Sequence, residues 1–308
     1  MKVAVTGAGG LIGRGIVPAL LARGDHVVAL SRHPDALAFP PEVEHRHFNP
    51  SASHTQPGAF EGVDAIVHLA GETVAGRWTQ AKKRAIESSR VDGTRLLVQS
   101  LAANVSKPHV LVSASAVGYY GSRGNEQLRE SSLPGDDFLA QVCQRWEAAA
   151  HEAEALRIRT VVMRTGIVLA HGGALAAMMM PFRFGLGGPL GSGRGFVPWI
   201  HIDDVVAMYL FALDNDVRGP FNAVAPDYAT SARFAKALGK ALHRPALLPA
   251  PAFALRAILG EFADTILASQ FVVPERADKA GFAWEYPQLE EALEQIVRSS
   301  KRPEPAHQ

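Results

Sequence analysis

Over roughly the first half of the chain, short apolar, β-branched runs alternate with longer stretches whose apolar positions recur every three or four residues. Residues 3–6, 26–30, 43–48, 65–69, 110–113 and 160–164 predict strands. Most of these runs are apolar throughout, the pattern of strands covered on both faces. Helical spacing covers 12–22, 80–103 and 138–156. A parallel strand pair needs a crossover, and the intervening helices supply it, so the alternation predicts a doubly wound α/β domain around a parallel sheet.

Beyond Arg164 the pattern changes. Residues 172–195 hold eight glycines with Pro181 and Pro189 among them, which predicts a long loop broken by a short helix over 174–180. A loop of that length in a compact domain reads as a binding element on the substrate side. Residues 203–213 and 231–242 predict helices around a strand at 220–224. The expected organisation is a doubly wound domain over 1–240, a smaller C-terminal α+β domain over 241–298 with a strand near 271–273 and an amphipathic helix over 289–297, and a frayed polar tail over 299–308.

Composition narrows the partners. With 47% apolar and 20% charged residues the chain has ample core, which excludes a disordered or collagen-like protein. Cys143 is the one cysteine, so no internal disulfide forms. A net charge of +1, with both signs spread along the chain, argues against a nucleic-acid partner. Charge-free stretches are too short or too proline-broken to cross a bilayer, and the N-terminus lacks the pattern of a signal peptide. A cytoplasmic protein with a small-molecule substrate and no membrane partner is expected, with a homo-oligomer left open.

The sharpest chemical signal is Thr6-Gly7-Ala8-Gly9-Gly10-Leu11-Ile12-Gly13, between the first strand and the first helix. Gly7 permits a tight turn, Gly10 lets backbone approach a pyrophosphate, and Gly13 lets helix and strand pack closely, with the phosphate at the positive helix end beside Leu11 and Ile12. This is the Rossmann dinucleotide pattern. At the end of the second strand an acidic residue would accept both ribose hydroxyls, but Ser31-Arg32 stands there. A hydroxyl and a guanidinium favour NADP over NAD; the alternative for Arg32 is a surface arginine stacked on the adenine.

The glycine turn resembles, together with His68-Leu69-Ala70-Gly71, Ser113-Ala114-Ser115-Ala116-Val117-Gly118-Tyr119-Tyr120-Gly121 after the fifth strand, and Trp199-Ile200-His201-Ile202-Asp203-Asp204-Val205, the extended short-chain dehydrogenase/reductase superfamily in its sugar-nucleotide epimerase branch. Arg77-Trp78-Thr79, Ser89-Arg90-Val91, Trp146-Glu147, Met163-Arg164-Thr165-Gly166, Gly281-Phe282 and Tyr286-Pro287 are similar to a narrower group, the epimerase family proteins, nucleoside-diphosphate-sugar epimerase relatives with a C-terminal domain of unknown function. The resemblance implies that Leu69, Ala70 and Gly71 line the cofactor ribose and pyrophosphate, that Asn49 contacts adenine, and that Arg164 belongs to the cofactor site. It also implies that Ser113 and Ser115 lie in the active-site serine region, with Tyr119 in its Tyr-Gly neighbourhood; ordinary packing is the alternative for Tyr119 and Tyr120.

One departure matters. The superfamily's catalytic Tyr-x-x-x-Lys is absent: counting back from Glu147 puts Leu139 and Cys143 at those two places. Leucine has no proton to give, and a buried thiol cannot lower a phenol's pKa as an ammonium does. Ser115, Ser113 and Tyr119 therefore remain as catalytic candidates. Glu72, Arg77, Tyr120 and His201 are candidates for the substrate side, Arg77 and Arg90 for an anionic group unless they form a solvated face. His45 and His47 lack further ligands and predict no metal site. The function expected is an NADP-binding epimerase or reductase on a small polar substrate such as a nucleotide sugar; the alternative is an NADP(H)-binding sensor without turnover.

Overall fold

The computed structural model describes residues 1–52 and 58–299. Strand β1 (Lys2–Thr6) runs through the glycine turn into α1 (Gly13–Ala22), followed by β2 (His26–Ser31), β3 (Glu44–His47) and β4 (Ala65–His68). Next come α2 (Gln80–Ala103), β5 (Val110–Ala116), β6 (Gln127–Leu128), α3 (Phe138–His151) and β7 (Arg159–Thr165). The chain continues through β8 (Ile167–Leu169), α4 (Gly173–Arg183), β9 (Phe196–Val197), β10 (Trp199–His201), α5 (Ile202–Asp214), β11 (Gly219–Ala223), β12 (Ala229–Thr230) and α6 (Ser231–Leu242). It ends with α7 (Ala252–Leu259), α8 (Phe262–Leu267), β13 (Phe271–Val272), α9 (Glu275–Lys279) and α10 (Leu289–Ser299).

Seven strands form one sheet in the order β11-β7-β5-β4-β1-β2-β3, every pair parallel. The predicted doubly wound α/β fold is the one observed. Alternate residues of each strand feed two cores. Val3, Val5, Val67 and Val112 pack with Ile16 and Leu20 of α1 and with Val205 and Tyr209 of α5. Ala4, Ile66 and Leu111 pack on the other side with Leu97 and Leu101 of α2. Strands buried on both faces explain why the runs read as apolar throughout. Capping fixes the starts of the crossover helices: Thr79 accepts from the Lys82 N–H and Asp137 from the Ala140 N–H.

The structure departs from the sequence reading at several boundaries. The fifth strand, predicted over 110–113, extends to Ala116, so Ser115 lies within it along with Ser113 rather than after it. Small residues with little strand propensity stay extended because β7 pairs with them as far as Ala116↔Thr165. The helix predicted over 138–156 ends at His151 and tightens into a 3₁₀ turn over Glu152–Leu156. Helix α4 runs to Arg183, past Pro181, further than the glycine-rich composition suggested. The predicted tail lies outside the described residues from 300 onward.

The C-terminal segment folds back onto the first part of the chain. Leu289, Leu293 and Ile296 of α10 share a core with Trp199 and with Phe234 and Leu238 of α6. Strand β13 pairs in parallel with β6, and Asn222 of β11 donates from Nδ2 to the Val273 carbonyl at 2.9 Å. These contacts bring the C-terminal segment to the carboxyl ends of the sheet strands, where ligands of open α/β sheets bind.

Candidate functional site

Beside β1 the glycine turn forms a backbone cradle. Gly7 has φ +67°, the left-handed region, and a Cβ there would sit 2.9 Å from the Leu69 carbonyl carbon. A Cβ at Gly13 would lie 2.5 Å from the Ala8 carbonyl oxygen, so only glycine lets α1 start this close to the turn. At Gly10 a Cβ would stand 3.1 Å from the Gly7 carbonyl oxygen. Ile12 is the residue before α1, and exposed Leu11 is flanked by Gly172 and Gly173 at the start of α4. The turn and α1 thus present N–H groups and a positive helix end with no side chain at Gly7 and Gly10 to block an anion.

A buried hydrogen-bond chain locks the neighbouring strand end. Thr6 Oγ1 accepts from the Leu69 and Ala70 N–H groups, at 3.1 and 3.3 Å. Its own proton is then directed to His68 Nδ1 at 2.7 Å, and His68 Nε2 reaches Thr94 Oγ1 at 3.0 Å. Burial pushes the His68 pKa down to about 4, so the imidazole is a neutral strut. Leu69, Ala70 and Gly71 are thereby fixed opposite the glycine turn. Gly71 rests on a guanidinium: a Cβ there would be 3.3 Å from Arg90 Cζ. Arg90 donates to the Glu72 carbonyl at 2.8 Å and lies over the Trp146 ring.

Ser31 and Arg32 close the far side. Ser31 Oγ accepts from the His33 N–H at 3.1 Å, which leaves its hydroxyl proton free for a ligand, and Arg32 is exposed. The positive charges of Arg32 and Arg90 help hold the Glu72 carboxyl below the usual carboxylate range, after its hydrogen bond from Lys82 at 2.7 Å, the largest cause. Asn49 caps a turn after β3, its Oδ1 accepting from the Ser51 N–H at 3.0 Å.

At the carboxyl ends of β5 and β7 lies a buried polar network. Ser115 Oγ donates to Glu147 Oε1 at 2.6 Å. Arg164 grips the same carboxylate from Nε at 2.9 Å and from Nη2 at 2.8 Å. Its Nη1 donates to the Tyr120 hydroxyl at 3.0 Å and to the Glu130 carbonyl at 3.2 Å, while its guanidinium carbon stands 3.5 Å from the Tyr119 ring centroid. Burial works against the Arg164 charge, but hydrogen bonds and attraction from Glu147 outweigh it and raise the pKa above the ordinary arginine value. Tyr120 donates to Asn222 Oδ1 at 2.7 Å, and burial pushes its phenol up to about 12. The Tyr119 hydroxyl has no partner among the described residues, and that side chain is half-buried. Ser113 is fully buried, and among the described residues its hydroxyl makes a single 3.3 Å contact, to the Ala114 carbonyl.

The remaining candidates lie apart from this network. His201 is buried: its Nδ1 accepts from the Asp203 N–H, its Nε2 meets Gln295 Oε1 at 3.0 Å, and its ring lies on Tyr286 at 3.9 Å. Arg77 packs against Gly260 between α7 and α8, where a Cβ would be 3.4 Å from Arg77 Cγ. Among the described residues no group of three or more His, Cys, Asp or Glu could hold a metal. From sequence, Glu147 served as part of a family-like motif and as a ruler for counting, with no role assigned to it, and Glu130 and Asn222 were not singled out. A glutamate on the buried side of an alanine-rich helix was the available signal for Glu147.

Leu139 and Cys143 do occupy the face of α3 turned to the Val117–Tyr120 turn. A Cβ at Gly118 would be 3.5 Å from Leu139 Cβ and 4.0 Å from Cys143 Sγ. Burial, with the Glu147 charge adding to it, pushes the Cys143 thiol up to about 12.

A parallel sheet in this order, with a glycine-turn cradle and a serine at the end of β5, defines an NAD(P)-binding Rossmann protein of the short-chain dehydrogenase/reductase type. The NAD dependent epimerase/dehydratase family matches residues 3–224, and a domain of unknown function (DUF1731) matches residues 250–296. The chain belongs to the NAD dependent epimerase/dehydratase family. It is 35% identical over 307 residues to the epimerase family protein YfhF of Bacillus subtilis, covering 98% of this chain and 99% of that protein. Among solved structures it is similar to human epimerase family protein SDR39U1 (isoform 2) with NADPH, at a TM-score of 0.86 and 36% identity, over 97% of this chain and 99% of the human one. A nucleoside-diphosphate sugar epimerase from Corynebacterium glutamicum gives a TM-score of 0.78 at 32% identity, over 96% of this chain and 58% of that one.

The buried thiol generates a direct prediction. In the folded protein Cys143 should resist a disulfide exchange reagent at mildly alkaline pH and react at the rate of a free thiol once urea unfolds the chain. Rapid labelling without unfolding would contradict its burial.

Proposed function

We propose that the chain is an NADP(H)-dependent oxidoreductase or epimerase acting on a small polar substrate. The carrying observation is the combined cradle: a glycine turn that side chains at Gly7 and Gly13 would fill, facing Leu69, Ala70 and Gly71, with Ser31 and exposed Arg32 at the end of β2 and no carboxylate in that place. A 2′-phosphate carries the charge that a guanidinium recognises. The human relative crystallised with NADPH supports the same reading.

The cofactor, when bound, supplies or accepts a hydride. The protein's residues then manage the substrate oxygen. Because Ser115 spends its proton on Glu147, its oxygen can act only as an acceptor, suited to orienting a substrate hydroxyl. Glu147 touches no substrate in this reading; pinned by Arg164, it is a positioning residue. Tyr119 is the proton donor to a carbonyl oxygen, since its hydroxyl alone of the two adjacent phenols has no internal partner among the described residues. Ser113, deeper in the strand, shapes the floor of the pocket.

A second reading, an NADP(H) sensor without turnover, is favoured by one observation: Leu139 and Cys143 face the turn where a tyrosine and lysine would act.

Two variants test these assignments. Arg32→Ala should weaken NADPH by about 1.5–3 kcal/mol in equilibrium titrations and leave NADH nearly unchanged. Equal loss for both would mean that Arg32 only stacks on the adenine. In a screen of carbonyl compounds and nucleotide sugars with NADPH, Tyr119→Phe should lower turnover by roughly 10²- to 10⁴-fold at unchanged NADPH affinity. Tight NADPH binding without turnover on any substrate of the panel would favour the sensor.

A further inference from the structure

Away from the cofactor cradle the surface carries an apolar patch with a one-sided charge. Phe184 and Leu186 follow α4, Leu247 and Leu248 precede α7, and Phe253 and Ile258 lie on α7; all six are half or more exposed. Helix α7 buries no residue. Backbone hydrogen bonds join the two segments into one surface: Leu248 N–H to the Gly187 carbonyl at 3.1 Å, Ala250 to Pro189 at 2.9 Å and Gly191 to Ala250 at 2.9 Å. Gly188 makes the approach feasible, since a Cβ there would overlap the Leu248 carbonyl. Counting about 200 Å² for a fully exposed large apolar residue, the six side chains present on the order of 800 Å². That exceeds the roughly 300–600 Å² of the largest apolar patch on a typical monomer.

The segments that carry this patch have an excess of basic residues. Residues 155–202 and 228–260 contain no Asp or Glu, although the whole chain is nearly balanced at +1. Arg183, Arg194 and Arg244 are exposed within those segments, and none forms an ion pair with a described carboxylate. Several other cations there are paired: Arg256 on α7 with Asp264 of α8 at 2.8 Å, Arg233 with Asp227 and Glu290, and Lys240 with Glu294, while Glu261, which follows α7, pairs with Lys83. An area near 800 Å² would also suffice for one side of a dimer, but a twofold contact sets the same patch against itself and brings these arginines together. Exposed apolar side chains on segments that also carry unpaired arginines instead suit an anionic bilayer, where the rings and aliphatic groups enter the acyl boundary and the guanidinium groups stay at the headgroups.

We propose that the surface formed by residues 184–190 and 247–258 docks the protein on an anionic lipid bilayer, lying on the membrane without spanning it. This goes beyond the cofactor reading and is independent of it. It also departs from the sequence-based expectation of no membrane partner, which rested on the lack of a spanning segment; among the described residues no helix is long and apolar enough to cross a membrane.

Vesicle flotation of the full chain tests the proposal with phosphatidylcholine alone and with phosphatidylcholine mixed with phosphatidylglycerol. The expected result is partition at least about tenfold stronger to the anionic vesicles, weakening as salt is raised. The exposed pair Phe184→Ser/Phe253→Ser should cut that partition about tenfold or more, and Arg183→Glu/Arg244→Glu should remove the anionic preference. Thermal melting and NADPH titration of the variants should match the parent protein, which separates lost docking from misfolding. No partition to anionic vesicles, equal binding to both vesicle types, or wild-type binding by the Phe pair would overturn the proposal. So would concentration-dependent dimers in light scattering that the Phe pair abolishes, since a second copy would then be the occupant.

Discussion

The Arg164–Glu147 ion pair is the constraint on which the carboxyl end of the sheet depends. It joins β7 to α3, and both partners are almost wholly buried, so each charge would be costly without the other. Two further donors of Arg164 go to the Tyr120 hydroxyl and the Glu130 carbonyl, and its face is covered by Tyr119. From there the network runs through Tyr120 to Asn222 and on to the Val273 carbonyl, linking the central sheet to the C-terminal segment. The pair therefore supports architecture and site together: the carboxylate that neutralises Arg164 is the one that fixes the Ser115 proton.

That arrangement accounts for how a site without Tyr-x-x-x-Lys stays organised. In the positions where an ammonium and a phenol would stand, α3 presents a leucine and a thiol whose pKa burial raises to about 12. Positive charge is instead supplied by Arg164 from the neighbouring strand, stacked on Tyr119. An arginine cannot share its proton as a lysine can, so it serves to hold the aromatic ring and the carboxylate in place. In our reading the proton chemistry then falls to Tyr119, with Ser115 as an oriented acceptor.

Much of this fold was legible because parallel strands and crossover helices impose different periodicities. The α2 boundaries, Gln80 and Ala103, coincide with the predicted ones, and the glycine turn was placed by its position between strand and helix. Boundaries failed where tertiary pairing overrides local preference, as at Ser113–Ala116, kept extended by β7. The short strands β8, β9, β10 and β12 escaped notice because two or three residues carry no period. In the site, the glycines of the turn are recognisable from spacing, since glycine itself records a close backbone approach, whereas Leu69, Ala70 and Gly71 were singled out only through resemblance. The Ser115–Glu147–Arg164 contact was not, because it joins residues far apart in sequence whose buried polarity has no periodic signature. Arg164 drew attention only through resemblance, and its grip on Glu147 and Tyr120 became visible only in the folded chain.

A double-mutant cycle between Arg164 and Glu147, read by urea unfolding, tests the central claim most directly. With Arg164→Met, Glu147→Leu and the double variant, each single change strands a buried charge and should destabilise the protein by about 3–5 kcal/mol. The double variant should cost clearly less than the sum of the two, a coupling of about 2–3 kcal/mol. Additive effects, with a coupling near zero, would contradict the ion pair as the support of the site.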